Sequence, residues 1–550
     1  MLFRSILTGY YNAVVRWLLP IIAVLLLIIC IRLLFRGKGS RTVLAVLVTD
    51  EGERLPVTAA ESAIGRSAAC DIQVTAPTVS RRHAVLTRDN EGFRISDIRS
   101  KGGLYVNEER VGRGARLELG DTVKLADVRL RLEAAQKEDE PEQKRRRNRR
   151  EPPALAGPFL LTLFQLLACL SLMLHDMDEL PWTLPACFLG LVAMEWICFR
   201  LRRFEELGVL LPAFFLSTLG LCVAASAAPA SLLKQFAALV LGVVLFWILG
   251  LVLRDIDLTM KLRYAAGLCA ILLLAANLLF GESRYGARNW INLGFITIQP
   301  SEFVKVAFVF AGCATLERLM TARNTVLFLL FSAACIGPLF LMRDFGTAVV
   351  FFVGMVIIAY MRSGDWRVIA FFSGAAAVGA PLVILLKPYI ADRFASYLHA
   401  WEYAATSGYQ QTRTMIAIGS GGLLGLGGGN GNLDRVAAAD TDLVFGILCE
   451  EWGLIVALCC AACLVILALY AATRAARASS AYYAIAACAA AGMLLLQAAL
   501  NLFGSVDLLP LTGITFPLVS NGGSSMAASF AMLAFIESVQ NTGRKGEKRR

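Results

Sequence analysis

Charge is scarce in this chain. Only 17% of its 550 residues are Asp, Glu, Lys or Arg, against 57% hydrophobic, where a soluble domain carries about 25% charged residues. That shortage excludes a disordered or fibrous chain and argues against a soluble enzyme. A disulfide framework is missing too. Of fourteen cysteines, all but Cys70 fall inside apolar runs, where a free thiol acts as a small hydrophobe. No ligand cluster identifies a metal site. The net charge of +11 is no nucleic-acid footprint, because much of it sits in Lys144–Arg150 and Arg544–Arg550, beside apolar runs. Basic flanks of that kind report membrane orientation.

What is abundant is apolar length, and the mean hydropathy is +0.63. The first run, Ala13–Phe35, is too long for a signal-peptide core, lacks a small-residue cleavage site and is followed by Arg36, Lys38 and Arg41. It reads as an uncleaved anchor over residues 1–40. Residues 41–135 change character. Charge is frequent and the apolar period is two, as in Leu117, Leu119, then Val123, Leu125, then Val128, Leu130, Leu132. Turn signals such as Asp89-Asn-Glu-Gly92 punctuate it, which predicts a β-sandwich. Residues 136–154 form a charged linker.

From Leu155 the spacing predicts twelve more spans, near 155–174, 182–200, 207–228, 234–253, 264–280, 301–317, 325–341, 346–362, 367–386, 443–470, 481–503 and 525–539. With the anchor that makes thirteen. Arg200–Arg203, Lys261, Arg263, Arg318, Arg362, Arg474 and the tail 541–550 fall on one face with the sandwich. The Lys and Arg excess predicts that this face is cytoplasmic. The polar, Gly-rich loops then lie outside, and site residues are sought there.

Glu302 and Lys305, in Gln299-Pro-Ser-Glu-Phe-Val-Lys305, share a helix face. Ionisable residues at membrane depth are costly and by default functional; the bland alternative is a self-neutralising packing pair. Asp344 either caps the next helix or anchors a cation or a substrate-binding Lys. The segment 387–442 is longer than a connector needs and contains Arg393, Arg413 and a Gly cluster over 419–431. That cluster lacks the GK[ST] ending of a phosphate loop, so it reads as flexible backbone packing beside a lipid-linked substrate. Asp440-Thr-Asp442 is expected to open one long helix, with Asp442, Gly446 and Glu450 on one face. A carboxylate raised toward neutrality there could serve as a general base; a plain helix cap is the alternative.

These motifs, in this order, resemble the SEDS family (shape, elongation, division and sporulation), the RodA and FtsW proteins. The resemblance covers about residues 205–540 and rests on QPSE-x-x-K, DFGTA, IAIGSGGL-x-G, TD-x-x-F-x-x-x-x-EE-x-G and Pro517-Leu-Val-Ser-Asn-Gly-Gly-Ser524. It implies a ten-span fold that polymerises lipid II into glycan strands outside the cytoplasmic membrane of a bacterium. About three spans are then extra: the anchor and the pair within 155–204. The catalytic Asp would be Asp442, with Glu302, Lys305, Asp344, Arg393 and Arg413 toward the substrate. Lys305, Arg393 and Arg413 would neutralise the pyrophosphates of the substrates, and a divalent cation could share that role. The family's Gly-x-x-Arg-Trp is Gly286-Ala-Arg-Asn-Trp290 here, and its SYGGS is Ser520-Asn-Gly-Gly-Ser524.

The sandwich resembles a forkhead-associated (FHA) domain, through Gly65-Arg66, Ser80-Arg-Arg-His83 and Leu104-Tyr-Val-Asn107. The resemblance implies phosphothreonine recognition by Arg66 and Ser80 with Arg81 nearby, and a partner that is a phosphothreonine protein or a Ser/Thr kinase substrate. The Asn that holds the peptide backbone in the family is Gly102 here. Three functions compete: a glycosyltransferase joining lipid II to a lipid-linked glycan strand, a lipid II flippase, and a non-catalytic scaffold of the cell-wall complex. Charges gathered at the outer ends of spans, and the retained Asp442, favour the enzyme, working with a class B penicillin-binding protein.

Overall fold

The structure, a computed structural model, describes residues 2–36, 43–58, 61–67, 70–89, 92–98, 100–112, 114–136, 155–175, 182–202, 207–284, 287–294, 297–316, 322–386, 397–475, 478 and 480–541. Arg393, the linker from 137 to 154 and the tail from 542 lie outside them. Two compact units separate, one built on the β-strands and one helical.

The β unit has eleven strands: β1 Ala45–Thr49, β2 Arg54–Val57, β3 Glu61–Gly65, β4 Ile72–Gln73, β5 Ala84–Asp89, β6 Gly92–Asp97, β7 Leu104–Val106, β8 Glu109–Arg110, β9 Ala115–Leu117, β10 Thr122–Leu125 and β11 Val128–Glu133. They form a six-stranded sheet, β2-β1-β11-β10-β7-β8, and a five-stranded sheet, β4-β3-β5-β6-β9. Alternation decides which side chains enter the core. Val123, Leu125, Leu130 and Leu132 are fully buried, while Arg129 and Arg131 between them are exposed. Each such aliphatic side chain contributes roughly 1.5–3 kcal/mol. Leu119 departs from the expected stripe. It sits in the turn after β9 and is 60% exposed, because the period-two pattern breaks where the chain reverses.

The helical unit begins with α1 Leu2–Arg36, α2 Ala156–His175, α3 Thr183–Leu201, α4 Leu210–Ala227, α5 Leu232–Val252 and α6 Ile256–Phe280. It continues with α7 Pro300–Leu316, α8 Ala322–Leu341, α9 Phe345–Ser363, α10 Trp366–Leu386 and α11 Tyr409–Gly421. The last five are α12 Ala439–Asp442, α13 Val444–Trp452, α14 Leu454–Ala475, α15 Ala481–Ser505 and α16 Gly523–Asn541. Among the described residues, ten helices are long and apolar enough to cross a membrane. Three of the thirteen expected spans fall short by that measure: α7, and the shorter apolar stretches Trp366–Gly379 and Gly523–Val539. Helix α4 is apolar on every face, and 83% of it is buried inside the unit, as an all-round apolar helix at the centre of a bundle should be. A Cβ on its Gly220 would meet the carbonyls of Leu518 and Val519 at 2.8 Å, so the C-terminal motif lies directly on its backbone.

The extra pair docks through polar contacts. Glu195 of α3 is fully buried and accepts from Gln165 Nε2 of α2 at 2.7 Å and Thr162 Oγ1 at 3.1 Å. Gln165 also donates to Thr218 of α4 at 3.0 Å.

The long helix expected to open at Asp440-Thr-Asp442 is instead three pieces, α12, α13 and α14. Leu443 (φ −116°, ψ 22°) interrupts it after Asp442, and Gly453 (φ +87°) interrupts it again. Asp442, Gly446 and Glu450 therefore do not share one continuous helix. The cause of the second break is a neighbour. A Cβ on Gly453 would stand 2.4 Å from Leu423 O, and Leu454 N donates to Gly422 O at 3.0 Å.

Candidate functional site

Asp442 ends the four-residue helix α12, and its N–H donates to Ala438 O at 2.8 Å. So short a helix has no stability of its own, and its shape comes from elsewhere. Asn501 Nδ2 donates to Asp442 O at 3.0 Å. Ser520 Oγ donates to Thr441 O, and Gln235 Nε2 donates to Ser520 O at 3.0 Å. Asn521 holds Asp440 twice, through Nδ2 to Oδ2 at 2.8 Å and through its N–H to Asp440 O at 2.9 Å. The Asp442 side chain stays partly exposed. Gly513, at φ +69°, makes room for it: a Cβ there would sit 3.3 Å from Asp442 Oδ2. The arrangement is a fixed backbone turn presenting a carboxylate beside a glycine. Asp442 is the last residue of α12, and Leu443 stands at the N-cap of α13.

Glu302 and Lys305 meet as a 2.7 Å ion pair, 3% and 4% exposed. Lys305 Nζ also donates to Gln497 Oε1 at 2.6 Å. An ammonium at this depth needs both partners, because low dielectric penalises an unpaired charge. Neither residue reaches solvent, so the expected direct contact of Lys305 with a diphosphate is not open in this conformation. Asp344 does cap α9, accepting from Thr347 N at 3.2 Å, and also accepts from Asn289 Nδ2 at 3.0 Å and Gln299 Nε2 at 3.4 Å. Asn289 occupies the place of the family's Arg, so a neutral amide faces Asp344 here. Arg288, one place earlier, is exposed and donates from Nε to Gly281 O at 2.7 Å.

Part of the Gly cluster is packed backbone to backbone against α13. A Cβ on Gly421 would meet Cys449 O at 2.1 Å, and one on Gly425 would meet Glu451 O at 2.3 Å. Leu426 N and Gly427 N donate to Glu450 O and Glu451 O, each at 2.8 Å. The glycines let two backbones touch along α13. Arg413, on α11, is exposed, and its guanidinium stands 5.1 Å over the Tyr409 ring. It is a cation open to an anion from outside the bundle.

Sequence reasoning missed the residues that connect these parts. Gln497 Nε2 donates to Thr515 O and Oγ1 at 3.0 Å. Thr515 Oγ1 meets Ser525 Oγ at 2.8 Å, and Ser524 Oγ accepts from Gln299 N at 3.0 Å. The segment 512–525 thus touches the Lys305 partner, the Asp344 partner and the Asp442 turn. The signal was present: two carboxamides four residues apart in an apolar helix are costly unless partnered. Among the described residues, no group of three or more His, Cys, Asp or Glu is placed to hold a metal.

In the β unit, Arg66 and Arg81 are exposed and Ser80 is half-buried. Arg66 N and Ser67 N donate to Ser80 O and Arg81 O at 3.0 Å. This close approach needs Gly65, where a Cβ would lie 2.5 Å from Arg81 O. His83, fully buried, accepts from Ser80 N on Nδ1 at 3.2 Å, and its Nε2 therefore donates to Gly103 O at 3.0 Å. Lys101 N donates to Ser80 Oγ at 3.0 Å. Gly102 is crowded: a Cβ there would stand 2.3 Å from Ala126 Cβ. An Asn at that position would collide with the β10–β11 turn.

Comparison with known proteins agrees with both parts. The model of the FtsW, RodA and SpoVE proteins, described as cell cycle protein, matches residues 204–545, and the FHA domain model matches residues 63–126. The chain is 32% identical over 317 residues to a probable peptidoglycan glycosyltransferase FtsW of Coxiella burnetii, covering 55% of this chain and 84% of that one. It is 33% identical over 292 residues to a probable FtsW of Aliivibrio salmonicida, covering 50% and 72%. A solved structure from work on coordination of polymerization and crosslinking by a peptidoglycan synthase complex matches with a TM-score of 0.53 at 28% identity, covering 61% of this chain and 98% of that one. The chain belongs to the FtsW/RodA/SpoVE family, and carries an FHA domain ahead of the family region.

Proposed function

We propose that this chain is a peptidoglycan glycosyltransferase that polymerises lipid II at the outer face of the bacterial cytoplasmic membrane. The observation that carries the reading is the Asp442 turn: a partly exposed carboxylate on a turn held by Asn501, Ser520 and Asn521, inside a region matched by the family model. Asp442 takes the proton from the sugar hydroxyl of the lipid II acceptor. That oxygen bonds to the anomeric carbon of the lipid-linked glycan donor, and the bond from that carbon to the diphosphate breaks. The electron pair leaves with undecaprenyl diphosphate. Arg413, and Arg393 beyond the described residues, neutralise the charge that develops. Lys305 acts at one remove, as the buried cation that fixes α7 to α15.

Purified protein should extend fluorescent lipid II into glycan strands, more strongly with a cognate class B penicillin-binding protein. Asp442→Asn should lower the rate by about 100- to 10,000-fold, the usual weight of general-base catalysis, with membrane insertion unchanged. Wild-type turnover by the Asn variant removes Asp442 from the mechanism.

The FHA unit reads phosphothreonine on the cytoplasmic side. Exposed Arg66, with Ser80 and Arg81 on the loop beside it, supplies the charge-assisted donors that such a ligand needs. External cysteine labelling at an introduced site within 408–431 should succeed, and labelling within 140–150 should fail. The reverse pattern overturns this orientation.

A further inference from the structure

Gln497 and Asn501 stand four residues apart on α15, so they share a helix face. Both are 1% exposed. Each amide holds two things. Gln497 joins Lys305 Nζ at 2.6 Å to Thr515 at 3.0 Å. Asn501 Nδ2 joins Ile514 O at 2.7 Å to Asp442 O at 3.0 Å. The two amides thus grip adjacent residues 514 and 515 on one side. On the other side they grip the cation of the buried pair and the turn of the carboxylate.

We propose that Gln497 and Asn501 are positioning residues that hold the Asp442 turn in register with Lys305. The inference rests on the reading of Asp442 as the base. Three facts drive it. Helix α12 is four residues long and is interrupted at Leu443, so its direction must be imposed from outside. Asn501 binds the backbone carbonyl of Asp442 itself, so it fixes the turn through the main chain. Gln497, one turn earlier, fastens the same helix to Lys305, so the distance between cation and base is set by one rigid element. A reacting group displaced by about 1 Å can lose on the order of 100-fold in rate.

The test uses full-length protein in lipid nanodiscs with fluorescent lipid II, measuring kcat, KM and the melting temperature of each variant. Asn501→Leu keeps the volume and removes the donor. We expect kcat to fall about 10- to 100-fold, the value of one or two lost hydrogen bonds, with KM within about twofold and melting close to wild type. Asn501→Gln restores a donor and should recover part of the loss. Gln497→Met should lower kcat less. If the two amides act as one device, the double variant should fall by less than the product of the single effects. Wild-type kcat in Asn501→Leu overturns the inference. So does a change confined to KM, or a loss of rate that only follows loss of folded protein. Should Asn501→Leu fail to fold, Asn501→Gln and Gln497→Met decide by the same kcat criterion. Failure of the underlying reading looks different: Asp442→Asn itself would then retain turnover. A dead Asp442→Asn beside an intact Asn501→Leu sinks this inference alone.

Discussion

In the helical unit Glu302, Lys305 and Asp344 are each less than a tenth exposed, and side chains hold every one of them. In the sandwich Arg66 and Arg81 stand exposed, and what is held there is the backbone beneath them. The difference follows from the surroundings. Inside an apolar bundle an unpaired charge costs several kcal/mol, so charges arrive with partners and their role is to fix helices. In water a guanidinium costs little to leave open, so it can wait for an anion. Burial thus separates charges held by side chains from charges open to solvent, and Asp442, partly exposed on a pinned turn, stands nearer the second kind.

Breaking the buried pair should have the largest effect on stability. Glu302→Gln or Lys305→Met alone should each destabilise by about 3–5 kcal/mol, because the remaining charge is stranded. The double variant should lose much less than the sum, and thermal unfolding of the detergent-solubilised protein reads all three. Near-zero coupling would mean that the pair is not a unit. The sandwich should respond in the opposite way. Arg66→Ala should weaken binding of a phosphothreonine peptide by about 10- to 100-fold, the loss of a charge-assisted hydrogen bond, with no change in melting. Calorimetric titration with matched phosphorylated and plain peptides checks it, and equal binding of the two forms would make the sandwich a docking scaffold. Gly102→Asn comes next. By analogy with the family it should strengthen peptide binding, but the 2.3 Å approach to Ala126 Cβ predicts the reverse. Overpacking there should destabilise by about 1–3 kcal/mol, readable as an earlier urea midpoint. The smallest expected effect is at Cys70. Burial pushes its thiol up from the ordinary cysteine range, so less thiolate is present at neutral pH. Iodoacetamide should modify it more slowly than a cysteine placed in an exposed turn.

Much of this was legible in the sequence, for a local reason. Apolar length marks helices, alternation marks strands, and Glu302 with Lys305 at i, i+3 marks a shared face. What was not legible depends on partners distant along the chain. Hydropathy over 443–470 is continuous and did not announce the breaks at Leu443 and Gly453, the second of which arises where residues 421–427 press against the end of α13. The same contact misled the reading of the Gly cluster. Glycine permits flexibility, but here it permits close approach, and composition does not distinguish the two. Arg413 was found because a charge in a loop is conspicuous. Gln497 and Asn501 were passed over because a neutral amide in a hydrophobic helix is not.

The seam between residues 421–427 and α13 also has a mechanical side. Where backbones touch with no side chains between them, there are no rotamers to rearrange and no slack to absorb a push. Residues 421–427 and 449–453 therefore move as one body, and along the chain Asp442 is joined to that body through residues 443–448. A partner protein that grasped α11 from outside would be holding a lever, with the Asp442 carboxylate at its short end.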